Sequence, residues 1–156
     1  MKKSVIIIIL IATVFTSCKN SEKQEEPNSP KEAVQEQVDG VFSNQWKNDI
    51  QLNNSAKWQA DAKTNEGVQK IQNTIETQIT NTLDDYHQLA NKLNDDKNYV
   101  VKNCTMKGAS HDNLHVWLLP LMDKIKALSE AKTVEEASKL KYSIEENVNA
   151  YSDYFE

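Results

Sequence analysis

Sulfur and imidazole side chains gather in one short stretch of the chain. Cys104, Met106, His111 and His115 lie within twelve positions, in a chain that has only two cysteines and three histidines. Histidines four residues apart on a helix project to the same side, with Cβ atoms about 5–6 Å apart. Thiolate, thioether and imidazole together are the ligands that suit Cu(I), whereas Zn(II) prefers thiolate, imidazole and carboxylate. The pattern therefore predicts a soft-metal site, with Met122 as a substitute thioether one layer deeper.

The same residues also have an interpretation that involves no ligand. A buried free cysteine packs as a small apolar side chain, and a methionine fills irregular gaps in a core. His111 and His115 would then bond to backbone carbonyls near Pro120, whose ring should kink the helix that contains it. The chain has no paired C-x-x-C motif, so its spacing leaves both packing and metal binding open.

Two enzyme motifs fail on this stretch. His111 and His115 have the spacing of the H-E-x-x-H motif, but Asp112 stands where the catalytic glutamate belongs and no third ligand follows. Cys104 lacks a Gly-rich corner beyond Gly108 that would form an oxyanion site. We therefore expect no catalytic residues and no enzymatic activity.

Composition excludes further functions. The net charge is −5 and all 18 basic residues are lysine, so bidentate guanidinium contacts to phosphate or guanine are absent and nucleic-acid binding is not expected. Three glycines and three prolines in 156 residues suit long helices and leave no Gly-rich phosphate-binding loop. The C-x-x-C-H haem motif is also missing. A b-type haem site with methionine and histidine ligands inside the bundle is left open, and copper is the metal that the cysteine–histidine stretch favours.

Apolar residues at three-to-four spacing predict an all-α fold. Helices are expected over residues 31–51, 65–94, 95–106, 110–128 and 133–154. Thr64 and Ser110 are the expected N-caps of the second and fourth helices, and Gly108 is the left-handed residue that ends the short third helix. Thr133 begins a capping box before the last helix. His87 lies at the edge of an apolar stripe and is expected to be structural. Short connections favour an antiparallel up-down bundle of four main helices plus one short helix.

The N-terminus carries a different kind of motif. Lys2 and Lys3 precede an apolar run over residues 5–14, and small Thr16 and Ser17 stand directly before Cys18. This order resembles the signal peptide and lipobox of bacterial lipoproteins, with phenylalanine in place of the commoner leucine three residues before the cysteine. The apolar run is too short to span a bilayer as a helix of about 20 residues. A plain signal peptide with a coincidental cysteine is the alternative.

The resemblance to lipoproteins implies a division of the chain into three parts. Residues 1–17 would be removed as a signal peptide, and Cys18 would carry a diacylglyceryl thioether and an amide-linked acyl chain such as palmitate. Residues 18–30 contain no large apolar side chain after the cysteine, so they are expected to form a disordered tether. Residues 31–156 would form the helical domain. Its place would be the cell envelope, facing the periplasm or the cell surface and held to the membrane by lipid.

The segment from Cys104 to Met122 resembles a motif in small helical lipoproteins of bacterial envelopes, and this likeness implies no assigned activity. We therefore expect an envelope lipoprotein whose bundle is a binding or interaction module. The alternative is copper binding or buffering, less favourably zinc binding, through Cys104, Met106, His111 and His115. The sequence names no protein partner.

Overall fold

Four long helices make up most of residues 40–156, the part of the chain that the computed structural model describes. They are α1 (Ala62–Thr77), α2 (Leu83–Asn103), α3 (Ala109–Glu130) and α4 (Val134–Asn149). A 3-10 helix (Gln45–Asn48) precedes them, and a short α5 (Tyr151–Tyr154) follows. Each long helix packs against the next along the chain, and α4 also contacts α1. The prediction of an all-α fold is confirmed for the described residues.

The predicted helix over residues 65–94 is wrong, because the chain leaves helical geometry between α1 and α2. The Thr82 hydroxyl accepts a hydrogen bond from the Asp85 N–H (3.2 Å), and the Asp85 carboxylate accepts one from the Thr82 N–H (2.8 Å). This reciprocal capping box starts a new helix at Leu83. Ile79 continues the helical spacing of Ile71 and Ile75, which predicts a buried position within that helix, but it lies in the connection and is 71% exposed.

The third predicted helix and three predicted caps also change. α2 runs without a break to Asn103, so residues 95–106 do not form a separate short helix. Asp61, not Thr64, caps α1, since its carboxylate accepts from the Thr64 N–H at 2.7 Å. Gly108 does have a positive φ of 64°, but it directly precedes α3. Ser110 lies within that helix and caps nothing; its hydroxyl donates to the Lys107 carbonyl (3.2 Å).

The predicted first helix is only partly within the described chain. Its residues 31–39 lie outside the described residues. Residues 40–42 are helical, but the helix does not continue to residue 51, because residues 43 and 44 are irregular and the 3-10 helix follows. Asn44 lies in this irregular stretch, and its side-chain oxygen accepts a hydrogen bond from the Trp46 indole N–H at 2.9 Å. Trp46 and Ile50 are buried, as their spacing predicts.

All four long helices contribute buried side chains to one core. α3 continues through Pro120 as one helix. Its predicted inward positions Leu114, Trp117, Leu121 and Leu128 are all essentially inaccessible to solvent. The Trp117 indole donates to the Asn147 carbonyl (2.9 Å), which joins the two helices through the middle of the core.

α4 begins at its predicted position, but it ends at Asn149 and not at residue 154, because the chain turns at Ala150. The Thr133 hydroxyl accepts from the Glu136 N–H (3.1 Å), and the Glu136 carboxylate accepts from the Lys132 N–H (2.9 Å). A turn at Ala150 separates α4 from α5. Trp58, in the connection before α1, pairs with Phe155 in an isolated β-bridge. Among residues 40–156, no helix combines the length and apolar character that crossing a bilayer requires.

Candidate functional site

The four predicted metal ligands fall on two different elements. Cys104 is the C-cap residue of α2, where its N–H donates to the Val100 carbonyl (2.9 Å), and Met106 follows in the connection to α3. Both side chains are half-buried and pack against the core. His111 and His115 lie on the first turns of α3.

The structure brings the two histidines together. Their ring centroids are 4.3 Å apart with an angle of 56° between the ring planes. His111 is half-buried and His115 is exposed, so the pair opens to solvent. The close approach of the two rings follows from their four-residue spacing on one helix.

The thiol does not join the imidazoles. Within residues 40–156, no three or more histidine, cysteine, aspartate or glutamate side chains are grouped so that they could hold a metal ion. Cys104 instead lies near the phenol of Tyr151. Burial raises the pKa of the Tyr151 phenol, and its electrostatic interactions with Asp61 and Cys104 add to that increase.

Hydrogen bonds to Asp61 fix the path of the segment that follows α2. Besides capping α1, its carboxylate accepts from the Thr105 N–H (2.7 Å) and from the Thr105 hydroxyl (3.1 Å). Partial burial opposes ionisation, but the hydrogen bonds from Thr105 and Thr64 outweigh it and lower the pKa of Asp61. These hydrogen bonds hold Thr105 at the start of α1. Its neighbours Cys104 and Met106 are thereby positioned to pack against the core.

The third histidine has a structural contact. His87 on α2 is half-buried, and its Nε2 lies 3.0 Å from the carbonyl oxygen of Ala131. Ala131 is in the connection between α3 and α4, so the contact fastens α2 to that connection. A structural histidine is what the position beside the apolar stripe predicts.

The described surface has an open groove of about 970 Å³. It runs between α3 and α4 and reaches residues 40–42. Its apolar surface comes from Val41, Phe42, Pro120, Ala127 and Leu140. Its charged side chains are Asp123, Lys126, Glu130, Lys132 and Glu136. The groove thus combines an apolar lining with charges of both signs.

A fully buried lysine lies on α3, between the groove positions Asp123 and Lys126 in sequence. Lys124 is 0% exposed. Its ammonium donates to the side-chain oxygens of Asn44 and Asn147 (3.1 Å for Asn147) and to the Ser143 carbonyl (3.3 Å). No carboxylate of the described chain lies within ion-pair distance of it. The charge is therefore satisfied by neutral oxygens alone.

Burial lowers the pKa of Lys124 to about 8. The negative charge of Glu146 opposes this decrease, and the positive charge of Lys47 adds to it. A desolvated lysine disfavours its charged form, which is the physical cause of the shift. Lys124 is the buried ionisable group that the sequence analysis missed.

The lysine network fixes the chain before α1 onto the bundle. Asn44, which receives the Lys124 ammonium, itself donates to the Ser143 carbonyl (3.4 Å), and the Ser143 hydroxyl donates to the Val41 carbonyl (3.3 Å). The segment that enters the groove is thus anchored to both α3 and α4.

A sequence signal for the buried lysine does exist. Trp117, Leu121, Lys124 and Leu128 are spaced by four, three and four residues, which places all four on one helix face. A lysine inside such a stripe predicts a buried ammonium, because the stripe faces the core. The groove has no equivalent signal, since its shape depends on the separation of two helices.

Comparison of the chain with protein-family models, with curated proteins and with solved structures finds no match.

Proposed function

We propose that this protein is a lipid-anchored lipoprotein of the bacterial cell envelope whose helical bundle is a binding module and not an enzyme. The observation that carries the binding part is the groove between α3 and α4. An apolar patch that opens to solvent and is rimmed by charges is typical of an interaction surface. The groove offers such a patch beside Pro120, Ala127 and Leu140.

The N-terminal sequence supports the anchor. Basic Lys2 and Lys3, the short apolar run and the small residues before Cys18 stand in the order of a lipoprotein signal. Each buried methylene of an acyl chain contributes about 0.8 kcal/mol, so two or three chains hold a domain stably at a membrane. The anchored domain would face the periplasm or the cell surface.

Helix order supports a bundle of up-down topology. The connections between the long helices are five, five and three residues long, and such short connections favour antiparallel neighbours. A bundle of this kind presents its grooves along the helices. The groove between α3 and α4 is therefore suited to a helical segment with an apolar stripe, which is a common mode of peptide recognition.

Photo-crosslinking tests the binding role of the groove. A photoreactive amino acid replaces Lys126 at the groove rim in the full-length protein, expressed in its native envelope. The matched control replaces Lys139, an exposed lysine of α4 that pairs with Glu135 outside the groove. We expect one discrete crosslinked polypeptide from position 126 alone, identified by mass spectrometry, and its loss when Ala127→Glu is added. Equal products from both positions, or no intermolecular product, would contradict the proposal.

Soft-metal binding is the second candidate function, and the close approach of His111 and His115 is the observation that favours it. Among residues 40–156, Cys104 and the two histidines do not form a group of three metal ligands, so an ion at this position would have two imidazoles as its ligands from the described chain. Anaerobic titration with Cu(I), and separately with Zn(II), tests the idea on the mature protein. The histidine pair predicts weakened binding in His115→Ala and unchanged binding in Cys104→Ser. Loss of binding in Cys104→Ser would instead support a single metal site formed by Cys104, Met106, His111 and His115.

A further inference from the structure

The outer face of α3 carries apolar side chains where a surface helix usually carries polar ones. Leu119 lies at the centre of this face and is 53% exposed. Val116 and Met122 lie three residues before and after it, and both are half-buried. At about 100° per residue, they lie about 60° from Leu119 on opposite sides of it. The three side chains therefore form an apolar strip along the outer face.

The outer face points away from the core of the bundle. Trp117, Leu121 and Leu128 are buried, and they lie about 160–180° from Leu119 around the helix. α3 packs against α2, α4 and the 3-10 helix, and these contacts leave Leu119 exposed. Apolar side chains that are exposed together and bordered by polar residues mark a surface that associates with another molecule.

The charged residues of the outer face are arranged symmetrically about Leu119. Asp112 lies seven residues before Leu119 and Lys126 seven residues after it, and both are exposed. His115 and Asp123, also exposed, lie four residues before and after it. Around the helix, Asp112 and Lys126 lie about 20° from Leu119, and His115 and Asp123 about 40° from it. Each aspartate thus has a lysine or a histidine at the same distance on the other side of Leu119.

This symmetry suits an antiparallel pair of identical helices. When two copies of α3 pack antiparallel with Leu119 against Leu119, residues equally far from it come to the same height. Asp112 of each copy then lies opposite Lys126 of the other, and His115 lies diagonally opposite Asp123. A two-fold axis forms each of these contacts twice. A parallel pair would bring Asp112 against Asp112 and Lys126 against Lys126, so the charges favour the antiparallel register.

Glu130 is the remaining charged residue of the outer face, and it is exposed. In the antiparallel pair it comes to the height of Gly108, the residue directly before the other copy of α3. The N-terminus of a helix is the positive end of its dipole and favours a carboxylate. Lys107 is the charged residue nearest to Gly108 in sequence. The fifth charged group therefore also has favourable surroundings in this register.

We infer that the protein associates with a second copy of itself through α3, in an antiparallel and two-fold symmetric contact centred on Leu119. The inference goes beyond the proposed function, because a copy of the chain occupies the outer face and a different partner occupies the groove. The two surfaces share Asp123 and Lys126 at their common edge. One helix from each copy makes the contact, so its area falls at the low end of specific interfaces and the dimer is reversible.

Thiol crosslinking of the full-length protein in the cells that make it tests the contact. Leu119→Cys is introduced into a Cys104→Ser parent. Because position 119 lies on the two-fold axis, one cysteine per chain comes close to its own counterpart. A short bismaleimide should therefore give a product of twice the mass of the chain, with the peptide that contains position 119 joined to itself. Tyr142→Cys on α4, at a position that is 62% exposed, is the matched control and should give little product. The parent alone shows what Cys18 contributes.

Charge reversal tests the register of the two helices. Asp112 and Lys126 lie about 21 Å apart along one helix, so they do not pair within a chain. Added to Leu119→Cys, Asp112→Lys or Lys126→Asp should lower the yield of crosslinked dimer at least about fivefold, because each places like charges opposite each other at two points. The double variant restores opposite charges across the contact and should recover the yield. Lys139→Asp, an equal reversal at an exposed position of α4, should leave it unchanged.

Three results would each overturn the inference. They are equal dimer yields from positions 119 and 142, single reversals that leave the yield unchanged, and a double reversal that fails to restore it. A thermal unfolding transition of each variant confirms that the bundle is folded.

The proposed function and this inference fail separately, because the crosslinked products differ in identity. A dimer of the chain at position 119, without a different polypeptide at position 126, would support the contact between copies and contradict the groove as a binding module. A different polypeptide at position 126, without a dimer at position 119, would do the reverse. A product of the chain with itself at position 126 belongs to the contact between copies.

Discussion

Replacing Lys124 by methionine tests whether the bundle holds an uncompensated charge. The side chain is fully buried, and its pKa is lowered to about 8 from the 10.5 that is usual for a lysine in water. Between these pKa values the unfolded chain binds a proton that the folded chain does not. Stability therefore rises with pH across this window, because the folded state no longer has to bury a charge.

The magnitude follows from the two pKa values. One pKa unit corresponds to about 1.4 kcal/mol, so the full contribution is about 3 kcal/mol, of which about 2 to 3 kcal/mol should appear between pH 7 and pH 10. Lys124→Met lacks the titrating group and should lose this gain. Its stability at a single pH is less informative, because the variant also leaves oxygens of Asn44 and Asn147 without their donor.

Urea unfolding monitored by tryptophan fluorescence at pH 7 and pH 10 measures the difference. The free energy of unfolding of the wild type should increase by about 2 to 3 kcal/mol relative to Lys124→Met. Lys126→Met is the matched control, since it removes an exposed lysine from the same helix, and it should keep the pH dependence of the wild type. The same pH dependence in the wild type and in Lys124→Met would refute the conclusion that the buried ammonium is destabilising.

Two further substitutions test the junction of α1 and α2. A Cβ at Gly67 would overlap the Cγ2 atom of Val100 and lie 3.2 Å from the Tyr99 ring. Because valine has little freedom to move aside, Gly67→Ala should lower the free energy of unfolding by about 1 to 2 kcal/mol. The cost of overpacking exceeds the gain in helix propensity. An unchanged thermal midpoint would contradict this prediction. Thr82→Ala removes the hydroxyl that caps α2 and should lower the free energy of unfolding, measured by chemical denaturation, by about 1 kcal/mol. The neighbouring substitution Asn81→Ala is the control and should lower it by less. An equal decrease in both variants would argue against the cap.

Helix class and the buried faces of α3 and α4 are predictable because they depend on local periodicity. Leu114, Trp117, Leu121 and Leu128 repeat at helical spacing, and all four are buried. The break between α1 and α2 is harder to predict, because Ile75, Ile79 and Leu83 continue the same spacing through it. There the capping box at Thr82 outweighs the stripe.

The candidate metal site also has one part that the sequence predicts and one part that it does not. The approach of His111 to His115 is a property of one helix and follows from their spacing. The position of Cys104 depends on tertiary contacts, since Asp61, the N-cap residue of α1, holds Thr105 in place. No local sequence pattern encodes the contact between Asp61 and Thr105. The sequence alone therefore does not show that Cys104 and Met106 are positioned independently of His111 and His115. The groove likewise depends on how far apart two helices lie.

The lipid anchor at Cys18 is tested most directly by the intact mass and fractionation of the mature protein. We expect the wild type to be found in membranes as a chain that begins at Cys18 and carries diacylglyceryl and acyl groups. Cys18→Ser should appear as a soluble form or as the unprocessed precursor. Recovery of Cys18→Ser in membranes at the size of the mature protein, or a wild-type mass without lipid, would contradict the account.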